Sequence, residues 1–124
     1  MKINSRGKGA TGEREFCKWL QENLKLDFLP QRNLDQVREG GADIIDVLPF
    51  SFEVKRCQGL DLRGWWRQVV IASSDEQIPV VAFRQNNMQW KFLISAKNIG
   101  LNKGFIQLEE LEAKRWLLNI REGI

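Results

Sequence analysis

The chain has 124 residues, 43% hydrophobic and 28% charged, which fits one soluble globular domain with a core that needs no disulfides. It contains no histidine and no tyrosine. That excludes Ser–His and Cys–His catalysis, histidine–metal nucleases and tyrosine-nucleophile recombinases. Two cysteines, Cys17 and Cys57, cannot build a zinc site, so any metal here would be a hard ion held by carboxylates. The net charge of +3 is compatible with a nucleic-acid partner. No apolar run is long enough for a membrane span, and a cytoplasmic setting is expected.

Residues 1–9, with Lys2, Arg6 and Lys8 and no acid, read as a basic flexible leader, and residues 10–124 as a single domain. From 10 to 26 the pattern is helical, with Phe16, Cys17, Leu20 and Leu24 at three- and four-residue spacing. Glu13 falls on that apolar stripe, where a carboxylate needs a reason; complementing the helix dipole in a first turn would be one. Residues 26–32 read as a strand and 33–41 as a polar loop. Residues 43–48 and 51–56 then read as a hairpin turning through Leu48-Pro49-Phe50. Asp61 is placed to cap a helix reaching about residue 73. Strands are expected at 78–84 and 89–94, and an amphipathic helix at 108–120. The resulting fold class is α/β (α+β), a mixed β-sheet flanked by helices.

Glu53-Val54-Lys55 lies inside an otherwise apolar strand, so Glu53 and Lys55 share one face while Phe52 and Val54 take the other. A charge pair held near a core calls for a compensating metal, substrate or counter-charge. The acid-x-Lys spacing alone is weak, since a chain of this composition supplies about one by chance. Glu112-Ala113-Lys114 repeats it, but in a helix residues two apart point about 200° apart and cannot converge. Glu53-Val54-Lys55 is instead preceded by a strand led by Asp43. If the hairpin turn holds an odd number of residues, Asp43 joins Glu53 and Lys55 on one face, with Asp43 opposite Lys55.

Lys8-Gly9-Ala10-Thr11-Gly12-Glu13-Arg14-Glu15 resembles the opening of archaeal Holliday-junction resolvases. Asp43 and Glu53-Val54-Lys55 resemble the core of the PD-(D/E)xK nuclease superfamily to which those enzymes belong. Ala42 stands where the superfamily name expects proline. The resemblance implies a restriction-endonuclease-like sheet in α-β-β-β-α-β order. It also implies metal-dependent phosphodiester hydrolysis by an endodeoxyribonuclease, with Glu13, Asp43, Glu53, Lys55 and Gln68 in catalytic positions. Mg²⁺, or Mn²⁺ in its place, would be held by Glu13, Asp43, Glu53 and the Val54 carbonyl. Lys55, beside carboxylates, suits positioning and charge stabilisation better than proton abstraction.

The substrate expected is branched DNA, cut by a homodimer, and so small an enzyme would suit a phage acting in its host's cytoplasm. Similar cores also serve nucleases acting on ends, flaps or restriction-like sites, and a catalytically silent DNA-binding or interaction module could keep the fold. Basic residues expected to touch DNA are Lys2, Arg6, Lys8, Arg14, Arg32, Arg38, Arg63 and Arg67. Of the adjacent Trp65 and Trp66, one is expected in the core and the other at a dimer interface or, as the alternative, stacked on a base.

Overall fold

The computed structural model describes residues 5–34, 42–44 and 46–123, with side chains from residue 9 onward. Helix α1 spans Ser5–Asn23, strand β1 Phe50–Arg56, helix α2 Leu62–Ala72, strand β2 Ile78–Arg84 and strand β3 Lys91–Ser95. A single 3₁₀ turn, Ala96–Ile99, leads to strand β4, Phe105–Glu109, and helix α3, Glu110–Glu122. The strands form one mixed sheet in the order β1-β2-β3-β4, with β1 and β2 parallel and the remaining pairs antiparallel.

Strand alternation divides the molecule into layers. Phe50, Phe52 and Val54 of β1, Val80 and Ala82 of β2, and Phe92 and Ile94 of β3 face α1 and α3, where they bury Phe16, Trp19, Leu20, Ala113 and Leu117. On the opposite face, Val81, Phe83 and Leu93 pack against Trp65 and Val69 of α2. Ser51, Glu53 and Lys55 belong to this second face by alternation. The acid and the lysine of the motif are thus the polar margin of the layer that α2 covers.

Several boundaries differ from those read in the sequence. Helix α1 begins at Ser5, so residues 5–9, assigned above to a leader, are helical, and Glu13 sits in the third turn rather than the first. The dipole explanation for its inward position therefore fails. The strands expected at 26–32 and 43–48 appear as single bridges, Arg32 to Ile44 and Ile44 to Phe52, laid beside β1. Side chains capture backbone groups that a ladder would use. The Gln31 amide donates to the Asp46 carboxylate (3.0 and 3.1 Å), and the Asn33 side chain donates to the Ala42 carbonyl (3.0 Å). Strand β4 was not expected at all. Its apolar Ile106 and Leu108 alternate with Gln107 and Glu109, and the helix follows only at Glu110, opened by a Glu109–Glu112 capping box.

One glycine sets how closely α1 approaches the sheet. A Cβ built on Gly12 would stand 2.5 Å from the Arg56 Cβ, a contact that real structures do not make. Gly9, three residues earlier, has nothing within 4 Å of that position. Gly12→Ala should therefore destabilise the protein by about 1–3 kcal/mol through overpacking. Gly9→Ala should stabilise it by about 0.5–1 kcal/mol through helix propensity. Urea melts of the two variants test this, and equal effects would contradict the close approach.

Candidate active site

Asp43 is positioned by backbone contacts on both sides of it. The Asn33 amide donates to the Asp43 carbonyl (2.8 Å) and the Asp43 amide to the Phe52 carbonyl (2.8 Å). Ile44 bridges Phe52, which brings Asp43 level with Glu53 rather than with Lys55. The shared face expected from the hairpin is kept, but the register moves by two residues. The Asp43 Oδ2 accepts from the Val54 amide at 2.7 Å, a charge-assisted bond that aims the carboxylate along β1.

Glu53 is 2% exposed, and its Oε2 has no hydrogen-bond partner. Its Oε1 accepts from Gln68 Nε2 at 2.7 Å and lies 3.6 Å from Lys55 Nζ. Gln68 projects from the flank of α2 that overlies β1, and Lys55 stands two residues along the same face of β1. Glu13 approaches from the α1 layer. Its carboxylate accepts from Arg32 Nε at 3.1 Å, because Arg32, bridged to Ile44, points to the α1 side of the sheet extension. Glu13, Asp43, Glu53, Lys55 and Gln68 are thereby gathered at the β1 edge of the sheet.

The carboxylates strain against one another. Burial pushes the Glu53 carboxyl up to about 8, helped by the Asp43 charge and by a hydrogen bond between the two carboxyls, while Lys55 pulls it down. The Glu13 carboxyl is raised first by burial and then by Asp43, against the pull of the Arg32 and Arg14 guanidinium groups. Glu53 thus holds its proton well above the usual carboxylate range, which offsets charge that a cation would otherwise offset. The donor set suits a hard divalent ion: two buried carboxyls in contact, one oxygen without a partner, and a third carboxyl nearby. Among the described residues, no three acidic, thiol or imidazole side chains are drawn tightly enough together to enclose a metal.

The basic residues expected at DNA stand in different settings. Arg32, expected near DNA, is paired here with Glu13, a contact that the sequence did not suggest. Its spacing carried no signal for this, since the pairing arises from a bridge across three segments. Arg14, Arg63 and Arg67 are exposed on their helices. Arg6 and Lys8 are placed by backbone alone in α1, and Lys2 and Arg38 lie outside the described residues. Ser51, on the Glu53 face of β1, was also missed: it is fully buried with an unpartnered hydroxyl. Cys17 is buried, and burial raises its thiol to about 11, as suits an inert filler. Trp65 is in the core, while Trp66 is half-buried against Phe105, their ring centroids 5.8 Å apart. Among the described residues, no helix is long and apolar enough to cross a membrane.

The sign of the Glu53 shift gives a pH test. Its folded value is raised above the unfolded 4.5, so the folded protein holds the extra proton between about 4.5 and 8. Without divalent ions, stability should fall as pH rises through that window and level off above it, the reverse of an ordinary ion-paired carboxylate. Glu53→Gln should flatten the dependence. Denaturant melts from pH 5 to 9 measure it, and stability rising across that range in the metal-free protein would contradict the crowded pair.

Residues 4–114 match the family model described as "Phage putative PDDEXK endonuclease". No curated protein and no solved structure matches the chain.

Proposed function

The chain belongs to that phage PDDEXK endonuclease family, and we propose that it is a divalent-metal-dependent DNA endonuclease whose reacting groups are Glu13, Asp43, Glu53 and Lys55, positioned by Gln68. The observation that carries this reading is the buried Asp43–Glu53 pair with its unpartnered Glu53 oxygen, beside an ammonium and a glutamine amide. A purely structural strand gains nothing from two carboxyls buried against each other.

A Mg²⁺ or Mn²⁺ ion held by Asp43 and Glu53, with the Val54 carbonyl and Glu13 as further oxygens, would lend Lewis-acid charge to the scissile phosphate and the attacking water. The chain's own residues do the rest. Lys55, a quarter exposed and 3.6 Å from Glu53, faces the place where a phosphate oxygen or the water must sit, and its ammonium offsets charge building there. Gln68 fixes the Glu53 carboxyl through Oε1 and leaves Oε2 available. Arg32 counterbalances Glu13 and keeps it near the site while no cation is present. Branched DNA is the substrate we favour, on the likeness of residues 8–15 to the resolvase opening, with a homodimer presenting two such sites. A cytoplasmic setting suits the two free thiols, Cys17 and Cys57.

Metal should stabilise the fold, by about 2.7 kcal/mol at a hundredfold excess over Kd. Asp43→Asn should remove both that stabilisation and Mn²⁺-dependent nicking of a labelled four-way junction. Lys55→Ala should keep the stabilisation yet lose about 10²–10³-fold in nicking. Equal cutting of linear duplex would demote branched DNA. A folded, metal-binding protein that cuts neither would sink the enzyme reading in favour of a binding module.

A further inference from the structure

The far flank of α2 carries a feature that the carboxylate site does not use. Two contiguous hollows, of about 370 and 440 Å³, run between α2 and the connection from β3 to β4, and both are lined by Trp66, Val70 and Gly104. Arg63 and Arg67 rim the first, and Lys97 and Lys103 rim the second. Among the described residues, no carboxylate lines either hollow. All four cations are exposed, and none makes an ion pair among the described residues. Arg32, Arg56 and Arg84, by contrast, are each matched to a glutamate. The floor is aromatic, with Trp66 tilted 43° on Phe105 and half-buried.

We propose that this groove is a binding track for single-stranded DNA, with Arg63, Arg67, Lys97 and Lys103 along the phosphates and Trp66 as a platform for an unpaired base. A row of unmatched cations around an apolar floor asks for an occupant that is anionic along its length and flat and apolar at intervals, which describes an unpaired strand. A duplex satisfies the cations but hides its base faces. A second copy of this chain, docked symmetrically, would bring the same cations toward one another. The inference rests on the nuclease reading above for what the strand is delivered to. Trp66 and Gln68 are two residues apart on α2 and point about 200° apart, so groove and carboxylates flank the same helix, about 10–12 Å across. A strand seated in the groove crosses that helix to reach Glu53. The substrate thus defined has an unpaired segment adjoining the cut.

The test uses the full chain in EDTA, so that binding is read apart from cleavage. Fluorescence anisotropy compares a labelled 20-nucleotide oligo(dT) with a blunt duplex of the same length, for wild type, Lys97→Ala/Lys103→Ala and Trp66→Leu. Wild type should prefer the single strand. The double lysine variant, whose side chains are exposed and cannot disturb the core, should lose at least about tenfold in oligo(dT) affinity, with a log–log salt slope reduced by about 1.4. Trp66→Leu should lose at least about fivefold, and its far-ultraviolet circular dichroism checks that it is folded. Wild-type affinity in the lysine variant, a preference for duplex, or a groove-dependent dimer seen by sedimentation would each overturn the proposal. Failure to cut any DNA in Mn²⁺ while the variants still lose oligo(dT) would remove the nuclease reading and leave the track standing. Cutting with oligo(dT) binding unchanged in the variants would do the opposite.

Discussion

Two carboxyl groups, Asp43 and Glu53, lie against each other beneath α2, both buried and sharing a hydrogen bond. Glu53 is met by Lys55 at 3.6 Å and by the Gln68 amide at 2.7 Å, yet one of its oxygens remains without a partner and its carboxyl is pushed up to about 8. Removing a charged group from water costs several kcal/mol unless something matches it. The local architecture around β1 can be understood as what is needed to hold this unfavourable pair in place.

Three elements do the holding. The backbone around Asp43 is clamped by Asn33 on one side and Phe52 on the other, and its carboxylate is aimed by the Val54 amide. β1 is fixed by its parallel pairing with β2 and by Phe50 and Phe52 in the aromatic cluster with Phe16 and Trp116. α1 is drawn tightly onto Arg56 through Gly12, which brings Glu13 to the sheet margin, where Arg32 receives it. Glu15, two residues on, pairs with Arg56 and Arg84 and pins the middle of α1 to β1 and β2. The site therefore depends on core packing on one face of the sheet to tolerate polar crowding on the other.

Much of this was legible in the residues. Alternation in Phe50–Arg56 placed Glu53 and Lys55 together, Asp61 capped α2 as expected with its carboxylate accepting from the Gly64 amide (3.1 Å), and β2 was read at its observed span. What escaped notice has physical causes. Gly7 and Gly9, among the basic residues of 1–9, made the start of α1 look like a leader, because helix propensity counts glycine as a cost. β4 was absorbed into the following helix, since a glutamate is an uncommon N-cap and the Glu109–Glu112 box gave no start signal. The pairing of Arg32 with Glu13 was not foreseen, for nothing local in 26–34 reports a contact made by tertiary bridging.

The central claim is that a divalent cation bound beside Asp43 displaces the proton that burial holds on Glu53. Calorimetric titration of Mn²⁺ at pH 7, repeated in buffers of different ionisation enthalpy, counts the protons displaced on binding. The account predicts that about one proton is released per ion bound in the wild type, and none in Glu53→Gln. Binding to the wild type with no proton release, or no binding at all, would contradict it.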